Sequence, residues 1–104
     1  MYERPCLTHV DTASRLIHDQ EAILFWIILV PAALNAQGTI NVYDGWDAAG
    51  KLKCIIKAGY ARQHCFCPPI GCNDALYIEK DEHVESYSLG FLPTKVAFPE
   101  DYKV

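Results

Sequence analysis

The stretch TINVYDGWDAAGKLKCIIK, from Thr39 to Lys57, decides the fold. Ile40 and Val42 alternate with Thr39, Asn41 and Tyr43, the two-residue period of a strand with one buried face. Asp44-Gly45 and Ala49-Gly50 then supply turn chemistry, because glycine accepts positive φ and aspartate bonds nearby backbone. Leu52, Cys54 and Ile56 resume the alternation, with Lys51, Lys53 and Lys57 directed the other way. The stretch therefore reads as a β-hairpin with a loop of several residues and one face that stays wet.

Working outward, the same period recurs on both sides. On the N-terminal side, residues 1–8 read as an extended arm, and His9 to His18 as one strand. Ala22 to Val30 (AILFWIILV) reads as a central strand buried on both faces and ended by Pro31, which has no N–H for a ladder. On the C-terminal side, Tyr60 to Phe66 alternates again until Pro68-Pro69, which is expected to break the strand. Ile70 to Asp74 reads as loop. Ala75 to Lys80 and Val84 to Phe91 give two further strands, with Tyr87, Leu89 and Phe91 on one face. Residues 92–104 read as a second arm, apolar but broken by Pro93 and Pro99.

Strands at 8–12-residue spacing with no helical period predict one all-β domain. The expected fold is an antiparallel β-sandwich or jelly roll of about seven to eight strands, with arms at both ends. The 104 residues suffice for one core, and 51% hydrophobic against 21% charged residues is a globular balance rather than a disordered one. A net charge of −4 with no basic run argues against a nucleic-acid partner. The longest apolar run, Ala22 to Pro31, is half of the roughly 20 residues a spanning helix needs, so no membrane partner is expected. Asp19, Gln20 and Glu21 precede it where a signal peptide carries basic residues, so no export signal is expected either. Five cysteines cannot all pair internally, and largely reduced thiols made in a cytoplasm are the expectation.

The densest cluster of reactive residues is His64-Cys65-x-Cys67-Pro-Pro-x-Gly-Cys72. Zinc takes four nitrogen or sulfur ligands in a tetrahedron, and His64, Cys65, Cys67 and Cys72 are the residues here that could offer them. Two features oppose it: His64 points to the opposite strand face from Cys65, and no second distant ligand pair exists. No metal and no cofactor is therefore expected. A Cys67–Cys72 or Cys65–Cys72 disulfide in an oxidising medium is an alternative, as is a set of small buried hydrophobes. None of the four histidines stands in a nucleophile-and-base signature, and neither a phosphate loop nor a serine elbow is present, so no catalytic residues are assigned. Asp44 and Asp47 offer too few oxygens for calcium and fit turn roles. Glu79, Asp81, Glu82 and Glu85 read as a solvated hairpin tip. Trp46, at a loop tip, is an interface candidate. In the C-terminal arm, Val96, Phe98 and Tyr102 are candidates for contact with a neighbouring subunit.

Several segments together carry a resemblance. An aliphatic strand ending in V-P-A (Ile27 to Ala33) is followed by A-x-G-T-I-N-V-Y-D-G (Ala36 to Gly45) and by G-K-L-K with its hydrophobic continuation (Gly50 to Ile56). P-P-x-G (Pro68 to Gly71), A-L-Y-I-E and V-E-S-Y-S-L-G-F (Ala75 to Phe91) complete it. Over somewhat more than half its length the chain resembles small proteins encoded among the structural genes of tailed bacteriophages. That resemblance implies a non-enzymatic virion component, made in the host cytoplasm, of capsid decoration or accessory type. It would self-associate as a small symmetric oligomer, a trimer among the arrangements allowed, and bind the major capsid or a tail protein. No functional residues carry over from it. The alternative from another class is a receptor- or glycan-binding β-sandwich of a tail or surface fibre, using loop aromatics such as Trp46 and Tyr60.

Overall fold

A computed structural model describes residues 7–33 and 37–94. Its eight strands are β1 (Leu7–Asp11), β2 (Arg15–His18), β3 (Ala22–Pro31), β4 (Gly38–Asp44), β5 (Lys51–Ala58), β6 (Arg62–Cys72), β7 (Leu76–Lys80) and β8 (Val84–Pro93). They form two four-stranded sheets, ordered β1-β8-β3-β6 and β2-β7-β4-β5, every pair antiparallel. Consecutive strands cross repeatedly from one sheet to the other, and this order is that of a jelly roll, the eight-stranded double Greek key. The all-β sandwich expected from the strand periodicity is the fold.

The core lies between the sheets. Leu24, Ile27 and Leu29 of β3 and Tyr87 and Leu89 of β8 face Ile40 and Val42 of β4 and Leu76 and Ile78 of β7, all essentially without solvent contact. Burying each such side chain is worth about 1.5–3 kcal/mol relative to exposure, so this interior dominates the fold's stability.

Several local expectations change. His9 to His18 is not one strand but parts of two, in different sheets. The Asp11 carboxylate accepts the N–H groups of Thr12 at 2.8 Å and Ala13 at 3.2 Å, which folds the chain over the sandwich edge. Tyr87 Oη donates to the Ala13 carbonyl at 2.7 Å from inside the core and pins that crossing. Pro68-Pro69 does not end its strand. β6 runs through both prolines, with a cis Cys67–Pro68 bond and a register shift opposite Leu24 to Trp26. An edge strand tolerates proline because one side of its backbone has no neighbour to bond. Ile70 to Cys72, expected as loop, therefore lies in β6. Leu7 and Thr8 belong to β1 and Leu92 and Pro93 to β8, so the ladders extend into both segments read as arms. β3 is buried on one face only; Ile23, Trp26, Ile28 and Val30 on the other are half-buried.

Candidate functional site: the outer face of the β2-β7-β4-β5 sheet

A bulge in the hairpin creates the site. Val42 pairs with Cys54 but Tyr43 pairs with Leu52, so Lys53 is the extra residue and the alternation of β5 slips by one. Leu52, expected in the core beside Cys54 and Ile56, is thereby turned outward and is 46% exposed. Cys54 stays packed against the core. A one-residue slip moves a side chain to the opposite face of a strand.

Register then aligns four outward residues across the whole sheet. Leu16 pairs with Tyr77, Tyr77 with Tyr43, and Tyr43 with Leu52, one from each strand in spatial order. Leu16 is 37% exposed, and the two tyrosines are half-buried. Their rings sit 6.2 Å apart and tilted by 49°, a favourable aromatic pair for a sheet surface. Along the next row Glu79 pairs with Asn41, and Asn41 with Ile55, which is 52% exposed. Glu79 Oε1 accepts bonds from Asn41 Nδ2 at 2.9 Å and from Tyr43 Oη at 3.0 Å. Through its bond to Glu79 first, and burial second, the Tyr43 phenol is held above its ordinary pKa and remains a donor. Glu79 is thus part of this face rather than of a solvated tip, whereas Asp81 bonds the N–H of His83 in the turn.

The other candidates scatter. Cys72 is buried and faces inward beside Ala22, while Cys65 is exposed on the outer face opposite Trp26. Cys67 is exposed, and Cys54, Cys65, Cys67 and Cys72 all carry free thiols. His64 faces inward opposite Ile27, and its Nε2 has no hydrogen-bond partner. Burial first, and the charge of Arg62 second, lower its pKa. Among the described residues no group of three or more histidine, cysteine, aspartate or glutamate side chains stands together to hold a metal ion. The Pro-Pro segment stays extended instead of turning back, which is why Cys72 does not return beside Cys65 and Cys67.

Trp46 is 56% exposed and donates its Nε1–H to the Asp19 carbonyl at 3.2 Å, so it leans on the β2–β3 turn. Tyr60 is 63% exposed but follows the opposite end of β5. Eight residues of strand separate those ends by roughly 26 Å at about 3.3 Å each, too far for one aromatic platform. Tyr60 instead borders a shallow groove of about 350 Å³ where Val30 to Ala33 face Gly59 to Ala61. Its described walls are apolar apart from the Tyr60 phenol, with no acid, base or nucleophile. Val96, Phe98 and Tyr102 lie outside the described residues. Among the described residues no helix is long and apolar enough to cross a membrane.

No family model matches the chain, and no curated protein or solved structure matches it either.

The sequence does not show the outward row, because the two-residue period alone puts Leu52 on the inner face and the bulge reverses it. The available signal is Tyr43, a large aromatic at a position the alternation assigns to the outside.

Proposed function

We propose that the protein is a non-enzymatic structural virion component of a tailed phage, of capsid decoration or accessory type, that self-associates and binds a major capsid or tail protein. The observation that carries this reading is the row Leu16–Tyr77–Tyr43–Leu52, a contiguous apolar and aromatic strip displayed on an outer sheet face. Aromatic and aliphatic side chains held on a sheet are what a protein contact uses. The jelly roll suits the role without specifying it, since viral capsid and lectin domains both use the architecture. The resemblance of the strand segments to phage structural proteins supplies the choice between them. The glycan-binding alternative draws less support, because Trp46 and Tyr60 sit at opposite ends of β5.

Mass spectrometry of density-banded particles from lysates in which the gene is expressed tests the proposal. A fixed copy number per particle is expected. Particles consistently free of the chain, or a chain that binds host cells and not particles, would overturn it.

A further inference from the structure

The row across the outer face reads Leu-Tyr-Tyr-Leu, the same from either edge of the sheet. We propose that this face is the self-association surface, and that two copies meet on it around a two-fold axis parallel to the strands. The inference deepens the self-association in the proposed function by naming its surface and symmetry, a two-fold pair rather than the trimer the sequence allows.

The argument starts from the edges. A sheet can add a second copy through an unpaired edge strand, and here all four edge strands are guarded. Among the described residues β1 has five; β2 has four and a register shift. β5 carries Lys51, Lys53 and Lys57 and the bulge, and β6 carries Pro68 and Pro69. Lysine, proline, bulges and shortness are the devices that stop edge-to-edge pairing. Contact is thereby left to the faces, and on this face the sequence spends Leu16, Leu52 and Ile55 where solvent alone would select polar residues.

A two-fold contact is isologous, so the patch must complement itself. Rotation about an axis parallel to the strands lays β5 of one copy over β2 of the other, and β4 over β7. Leu52 then meets Leu16, and Tyr43 meets Tyr77, in both halves of the contact. On the next level Glu79 comes over Asn41, which already hydrogen-bonds carboxylate in its own chain, so the two Glu79 carboxylates are not opposed. Ile55, beside Asn41 in the register, comes under the same cover. Four strands about 4.8 Å apart and roughly 20 Å long present about 400 Å² per copy, so roughly 800 Å² is covered between two copies. That is the low end for specific interfaces, so the pair is expected to be concentration-dependent.

The axis makes a sharp test, because position 16 of one copy faces position 52 of the other. Sedimentation velocity of the full chain should show a monomer shifting to a dimer as concentration rises. Leu16→Lys and Leu52→Glu, each at an exposed position, should each stay monomeric with an unchanged unfolding temperature. An equimolar mixture of the two variants should dimerise again, since one contact becomes an opposite-charge pair and the other is Leu16 on Leu52. Val10→Glu, on the outer face of the other sheet and 71% exposed, should dimerise like the parent chain. A parent chain that stays monomeric into the millimolar range overturns the inference. So does a dimer that survives both single changes, or a mixture that fails to recover; the last would place the axis elsewhere. An oligomer insensitive to these variants would leave the virion proposal standing. A dimer that behaves as expected but never joins particles would sink that proposal and keep this one.

Discussion

The indole of Trp26 packs against Gly90 on the outer face of the β1-β8-β3-β6 sheet. The two residues are register partners, and a methyl group on Gly90 would overlap the ring's Nε1 and Cε2, well inside van der Waals contact. Glycine is required there for space.

Gly90→Ala should therefore push the ring off the sheet and cost about 1–3 kcal/mol, the usual penalty for adding a methyl to a filled site. The readout is fluorescence in a Trp46→Phe background, where Trp26 is the remaining tryptophan. A red-shifted emission together with a lower denaturant midpoint is expected. An unshifted spectrum at full stability would show that the ring does not depend on this glycine.

Asp44 ties the hairpin to a segment some thirty residues away. Its carboxylate accepts the N–H groups of Asp74 at 2.8 Å, Asn73 at 3.0 Å and Ala75 at 3.4 Å, all in the β6–β7 connection. Burial alone would raise its pKa, but these donors outweigh it and hold the carboxyl below its ordinary value. With the folded pKa below the unfolded value of about 3.9, its contribution is fully present above that value and fades as pH falls through the folded pKa. Asp44→Asn should cost about 1–3 kcal/mol near neutrality, because an amide places N–H against one of the three donors. The gap to the parent chain should narrow below about pH 4 as the parent's own carboxyl protonates. Urea titrations at several pH values read both, and a gap that stays constant down to acid pH would contradict the assignment.

Tyr87 joins the core to the β1–β2 crossing through its bond to Ala13. Tyr87→Phe keeps the buried ring and removes one hydrogen bond, so a loss of about 1 kcal/mol is expected, with hydrogen exchange accelerated at Thr12 to Ser14. Unchanged exchange in that turn would mean the bond does not hold the crossing.

The thiols should separate by environment. Burial pushes the Cys72 thiol up to about 11 and also raises that of Cys54. The thiolate is the reactive form, so brief alkylation at neutral pH should modify Cys65 and Cys67 and spare Cys72 until the chain unfolds. Peptide mapping reads each site, and early labelling of Cys72 in folded protein would refute its placement in the core.

What the chain determines by itself is the two-residue period. Residues such as Val42, Ile78 and Leu89 declare an inward face whatever their partners, because every strand exposes alternate side chains to opposite sides. That period, with turn residues between the runs, is enough for an antiparallel sandwich and most of its core. Partnership belongs to the tertiary structure. Asp44 reads locally as a turn residue, yet the donors it binds arrive from the β6–β7 connection. Pro68-Pro69 reads as a break, yet an edge position leaves it harmless. Leu52 reads as core, yet a bulge paired to β4 turns it outward into line with Tyr43, Tyr77 and Leu16. Each of these depends on which strand lies alongside, a contact between residues far apart in sequence that no local pattern encodes.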